Sequence, residues 1–163
     1  MQLETWTAPP GDVIPNHPRF DVLLYRGVDV SDVQGLFATH GWGGSWINGV
    51  FDFHHFHSTS HEVLAVIAGS AVLELGGPQG EAFEVEAGDV VVLPAGTGHR
   101  RASASGDFRV VGAYPAGQED YDLLREADGP ARARIGAVRV PDEDPVGGEG
   151  VARWAAVSPG LGA

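Results

Sequence analysis

The strongest constraint on this chain is the run from Gly49 to Gly69, GVFDFHHFHSTSHEVLAVIAG, which holds His54, His55, His57 and His61, four of the seven histidines. His55 and His57 are two apart, so on a β-strand both leave by the same face, and Phe51 and Phe53 share that parity. The face is then apolar apart from two imidazoles. A buried imidazole needs a hydrogen-bond partner or another use for its lone pair. Metal ligation is that other use, and it requires further ligands from neighbouring segments. Glu62, after a short turn, and His99, far downstream, are the residues available to supply them.

Composition narrows the chemistry. With no cysteine, thiolate sites and disulfides are excluded, so any bound metal must use imidazole and carboxylate. The formal charge is −12, and all ten basic residues are arginine. That balance argues against nucleic-acid backbones and anionic membranes as partners. The absence of lysine also excludes a lysine Schiff base. The beginning of the chain has neither a basic n-region nor an apolar h-region, and no run reaches the length of a membrane span, so a soluble cytoplasmic protein is expected.

Taken in order, residues 1–19 are punctuated by prolines and read as an extended arm on the body. Phe20 to Val28 reads as a first strand, and Ser31 as N-cap of a short helix over Asp32 to Thr39. Trp46 to His57 reads as a strand, or a bent pair, carrying the histidines. Glu62 to Ala68 and Ala71 to Leu75 flank Gly69-Ser70, the expected turn of a hairpin. Ala82 to Glu86, Val90 to Leu93 and Phe108 to Tyr114 complete the strands, and residues 94–98 form a turn ending at His99. Short strands at this spacing predict an all-β barrel or sandwich. Beyond Pro115, Glu119 to Ala127 reads as a short acidic helix, Asp142 to Gly150 as a loop, and Val151 to Val157 as a final strand or ordered tail. The expected organisation is an arm (1–19), a barrel (20–115) and a C-terminal extension (116–163) packed on the barrel or on a partner subunit.

Two spaced motifs stand out. In the first, Gly49 is followed by His55, His57, Glu62 and Gly69; in the second, Gly88 is followed by Pro94, Gly96 and His99. In these spacings the chain resembles the cupin superfamily, although Ser103 stands where its second signature usually ends in asparagine. Within it, HFHSTSHEVL, GDVVVLPAGTGH and FRVVGAYPAGQ resemble a small single-domain bacterial group, the YjlB-like proteins. The resemblance implies a double-stranded β-helix (jelly-roll) barrel, a metal site on His55, His57, Glu62 and His99, and a homodimer. It implies no particular substrate.

Three imidazoles and one carboxylate suit one divalent transition metal ion (Fe, Mn, Ni, Co or Zn) rather than Mg or Ca. The competing reading is a set of structural histidines without a metal. On a strand His61 points opposite to Glu62, which places it behind the ligands or at the surface. His54 is expected to pack, and His17 and His40 to lie at the surface. Arg100 and Arg101 follow a ligand directly: one could meet an anionic substrate, or both could face solvent. Arg101 and Tyr25 are the substrate-binding candidates, and Glu62 is the candidate proton acceptor. Two functions remain open: a metal-dependent oxygenase or isomerase acting on a sugar derivative or organic acid, or a non-catalytic module that binds a small ligand.

Overall fold

In the computed structural model, which describes residues 1–158, the chain forms a double-stranded β-helix of two facing antiparallel sheets. The strands are β1 (Gln2–Trp6), β2 (Val22–Arg26), β3 (Trp42–Asn48), β4 (Glu62–Ala68), β5 (Ser70–Leu75), β6 (Glu81–Glu86), β7 (Val90–Leu93), β8 (His99–Ala104) and β9 (Arg109–Pro115). One sheet has the order β1-β2-β7-β4-β9-β3 and the other β6-β5-β8. The helices are α1 (Val33–Thr39), α2 (Ala131–Ala137) and α3 (Gly150–Val157). No helix among the described residues is long and apolar enough to cross a membrane.

The six-stranded sheet is covered on both faces, which explains its nearly continuous apolar strands. On its inner face Val22, Leu24, Leu64, Val66, Val91 and Val110 meet Leu73, Leu75 and Val85 of the smaller sheet. On its outer face Leu23, Tyr25, Val63, Ala65, Val92 and Val111 pack under Phe37 of α1 and Val151 and Trp154 of α3. Alternation along each strand makes this division, because successive side chains leave by opposite faces.

The structure corrects several sequence expectations. The start of the arm is an edge strand, β1, paired with β2 from Gln2↔Arg26 to Trp6↔Val22. Asp32, not Ser31, caps α1, its carboxylate accepting from the Gly35 amide. Gly69-Ser70 is not a hairpin turn. β4 pairs with β7 and β9, whereas β5 pairs with β6 and β8, so the chain changes sheets there. The positive φ of Gly69 (71°) makes the corner. Residues 119–127 form no helix, because Leu124 exchanges two main-chain hydrogen bonds with Phe56, both 2.9 Å. Val151 to Val157 belongs to α3, not a strand; Val151 and Trp154 are three apart and both buried, as one face of a helix requires.

Within residues 116–158, α2 and α3 pack on the barrel of the same chain. The Trp154 indole stacks on Phe20 at 5.3 Å between centroids and donates from Nε1 to the Asp21 carbonyl at 2.9 Å. Ile135 of α2 packs with Ile14, Phe56 and Ala95.

His17, expected at the surface, is interior, and so is His61, expected behind the ligands or at the surface. His17 is 7% exposed and its Nδ1 accepts from the Arg19 and Phe20 amides at 3.0 and 2.9 Å. His61 is fully buried among Phe20, Trp154 and His17, its Nδ1 accepting from the Ala95 amide at 2.8 Å. Burial, and then the charge of Arg19, lowers His17 to about 3. Since the unfolded chain takes up that proton near pH 6.5, His17 favours the fold fully above that pH and progressively less down to about 3. His17→Asn keeps an acceptor for the two amides and removes the titration. Urea unfolding near pH 7.5 and near pH 4.5 should show the variant losing about 2 kcal/mol less than the parent on acidification.

Candidate metal centre

Three strands and two connecting segments bring the site together. Glu62 opens β4 on the same parity as Leu64 and Val66, so its carboxylate enters the barrel interior and is 3% exposed. His99 opens β8, and Tyr114 of β9 lines the same cavity. His55 and His57 lie in an irregular connection rather than on the expected strand, and β3 ends at Asn48. Their place is fixed instead by an isolated bridge: the His55 amide donates to the His99 carbonyl (3.2 Å), and the His99 amide to that of His55 (2.9 Å). The Gly96 amide donates to the His57 carbonyl at 2.8 Å.

The ligating atoms of His57, Glu62 and His99 lie within 4.8 Å of one another. Glu62 Oε1 is 3.4 Å from His57 Nε2 and 3.2 Å from His99 Nε2. The His55 ring stands beside that of His99, at 4.0 Å between centroids, but His55 is outside the mutually close trio. In each of the three histidines Nδ1 meets a backbone carbonyl: Phe53 at 2.9 Å for His55, Asp122 for His57, and Thr97 at 3.0 Å for His99. A carbonyl can only accept, so each Nδ1 carries the proton and each neutral ring keeps its lone pair on Nε2.

The trio is therefore a set of acceptors: two imidazole lone pairs and a carboxylate, with a third imidazole alongside. Glu62 Oε1 is buried and has no partner in hydrogen-bond geometry, although its approach to the two imidazoles is that of ion pairs. A cation is what such a donor set fits, and carbonyl-anchored imidazoles are how protein metal ligands are commonly oriented.

The electrostatics agree. Burial would raise the Glu62 carboxyl, but His57 and then His99 outweigh it and hold it well below the usual carboxylate range. Burial would lower His57, but Glu62 raises it on balance. Burial, and then the charge of His99, lowers His55 to about 3. The Tyr114 hydroxyl accepts from Trp46 Nε1 at 2.8 Å; burial, and then the charge of Glu62, raises its pKa so that it stays neutral.

Of the other sequence candidates, Arg101 lines the cavity of about 450 Å³ above the trio, together with Phe51. Tyr25 does not. It is on the outer face of β2, where its hydroxyl bonds Asp144 and accepts from the Gly150 amide at 2.8 Å. His54 lies 3.6 Å from Glu74, and His40 3.4 Å from Glu143. A larger open groove of about 930 Å³ along β5, β6 and β8 is remote from the histidines, and its Arg26 is already paired with Glu4 and Asp89.

Two positioning residues escaped the sequence reading. Asn16 donates to the carbonyl of Gly76 at 3.0 Å and accepts from the Gly98 amide at 3.0 Å, fixing the turn that leads into His99. Asp122 accepts from the amide of Ser58 at 2.7 Å and from its hydroxyl, while its carbonyl holds His57. The only sequence signal for Asp122 was an acidic cluster, which reads equally well as a solvated helix face.

A small β-barrel with clustered imidazoles and one carboxylate inside defines the class, and the chain belongs to the cupin family. The family profile described as Cupin domain matches residues 47–112. The Bacillus subtilis (strain 168) protein named "Uncharacterized protein YjlB" is 37% identical over 153 residues, covering 91% of this chain and 92% of that protein. Similar solved structures include the acireductone dioxygenase from Bacillus anthracis with cadmium ion in its active center, at 16% identity and TM-score 0.41. That match covers 55% of this chain and 60% of the dioxygenase, less than two thirds of its length. A DUF861 family protein from Thermotoga maritima matches at 18% identity and TM-score 0.39, over 56% of this chain and 96% of that one.

Asp122→Ala should release the segment that anchors His57. In hydrogen exchange the Ser58 amide should lose protection, and the Phe56 and Leu124 amides should exchange about tenfold faster or more. Amides of β4 and β7 should keep parental rates.

Proposed function

We propose that the protein is a metal-dependent enzyme, of oxygenase or isomerase type, that acts on a small polar molecule such as an organic acid or a sugar derivative. His57, Glu62 and His99 would hold one divalent transition metal ion, with His55 as the fourth ligand from the adjoining position. The observation that carries this reading is the convergence of carbonyl-locked imidazoles on the unpartnered Oε1 of Glu62. Nitrogen and carboxylate donors without thiolate suit Fe, Mn, Ni, Co or Zn. Such an ion, when bound, polarises substrate oxygen atoms as a Lewis acid.

The protein groups supply the rest. Tyr114 keeps its proton at neutral pH and can donate it as a hydrogen bond to an oxygen in the cavity. Glu62, ionised at that pH, is the candidate proton acceptor. Tyr121 stacks on Tyr114 at 4.1 Å and meets His57 edge-on, narrowing access of water to the trio.

Reconstitution with each of the five metals, followed by elemental analysis, tests the reading. About one ion per chain is expected, with His99→Ala and Glu62→Ala each weakening retention about 100-fold or more against a chelator. The loaded protein should turn over at least one acid or sugar substrate in an oxygen-uptake or isomerisation screen. If no metal is retained above a tenth of an equivalent or so, the proposal fails.

A further inference from the structure

We propose that the cavity above the histidines binds a carboxylate carrying an apolar, ring-sized body, with Arg101 pairing the carboxylate and the mouth holding the body. This deepens the functional reading above and rests on the same cavity, but it depends on other residues.

Strand alternation separates the two consecutive arginines. Leu75 faces His99 and Leu73 faces Arg101 across the β5–β8 ladder, so His99 and Arg101 share the inward face. Arg100 leaves by the other face. There Glu74 takes two hydrogen bonds from it, both 3.1 Å, and the Asp52 carbonyl a third at 2.9 Å. Among the described residues the Arg101 guanidinium has no ion pair or hydrogen bond, although its own amide is tied to the Phe51 carbonyl at 2.9 Å. The chain carries 22 acidic residues against ten arginines, yet the carboxylate lining this cavity, Glu62, faces His57 and His99 and makes no ion pair with Arg101. The cavity thus offers an anion an unpartnered planar fork on the same face of β8 as His99.

The mouth has a different character. Ile47, Phe51, Tyr121 and Leu123 line it and are between 38% and 53% exposed. They come from β3, the histidine segment and the region after Pro115, and account for four of the seven large exposed apolar side chains of the described residues. Converging exposed apolar groups mark binding surfaces. Phe51 also stacks on Phe53 at 4.8 Å, which stiffens the rim. Of these four only Tyr121 carries a hydrogen-bonding side chain, so the organic-acid branch of the functional reading is favoured over the sugar branch. A volume of about 450 Å³ suits a single small molecule.

Calorimetric titration of the full chain, metal-free and zinc-loaded, with benzoate, phenylacetate and 3-phenylpropanoate against the corresponding amides and acetate tests the proposal. The best aryl acid should bind about tenfold or more tighter than its amide, and tighter than acetate by a similar factor. Arg101→Gln should bring the acid to the level of the amide, and Phe51→Ser should erode the advantage over acetate while preserving the acid-to-amide ratio. Arg101→Lys keeps the charge without the fork and should retain a reduced preference, which serves if the glutamine variant folds poorly by circular dichroism. Acid and amide binding alike, no acid binding at all, or an Arg101→Gln variant with unchanged preference would overturn the proposal even in a protein that loads metal. Conversely, preference that depends on Arg101 in a chain that retains no metal upholds this site while the metal-dependent reading falls.

Discussion

A single buried carboxylate sets the terms for the interior of this barrel. An unpaired ion inside a protein costs several kcal/mol after relaxation, and Glu62 lies on the inward parity of β4, next to Leu64 and Val66. The Nε2 atoms of His57 and His99 stand 3.4 and 3.2 Å from its Oε1. Because their Nδ1 protons are held by backbone carbonyls, the neutral rings turn lone pairs toward an anion. Two conditions relieve that repulsion: a proton on an imidazole, which the Glu62 carboxylate favours at His57, or a cation among the acceptors. A proton would satisfy one ring only, whereas a cation could meet both rings and the carboxylate.

The segments outside the barrel strands make that arrangement rigid. From the N-terminal side, Asn16 ties the turn at residues 94–98 to the loop at Gly76. From the C-terminal side, residues 121–124 pass over the histidine segment, pairing main chain with Phe56 and side chain with Ser58. Further on, α3 places Trp154 over Phe20 and His61, which closes the outer face of the six-stranded sheet. Inward-facing histidines placed in an irregular segment need such buttresses, since no ladder of strand hydrogen bonds fixes them.

How much of this was legible in the sequence follows from which interactions are local. The apolar runs of β4 and β7, the glycine corners and the spacing of His55, His57, Glu62 and His99 are local patterns, and they pointed to the barrel and to the residues inside it. β8 was missed because HRRASA carries too little apolar alternation to read as a strand; its pairing with β5 comes from tertiary context. α3 was misread because a short apolar segment fits strand and helix alike until the spacing of Val151 and Trp154 is weighed. Asn16 and Asp122 act across 82 and 64 residues of chain, and no periodicity announces a partner at that distance. Tyr25 looked like a pocket residue by type alone, and parity on β2 sends it to the opposite face.

The same parity explains why neighbouring residues of one chemical kind have different fates here. His61 and Glu62 are adjacent, and the sheet sends the first to an aromatic layer beneath Trp154 and the second to the barrel interior. Arg100 and Arg101 are adjacent, and the smaller sheet gives one to Glu74 at the surface and the other to the cavity. The histidine segment is the exception, because His55 and His57 do not belong to a strand. They nevertheless reach the common site, His55 through its bridge with His99 and His57 through the Gly96 amide and the Asp122 carbonyl. The geometry of the centre therefore rests on main-chain anchors outside the strand ladders, and the residues that brace them matter as much as the side chains that face inward.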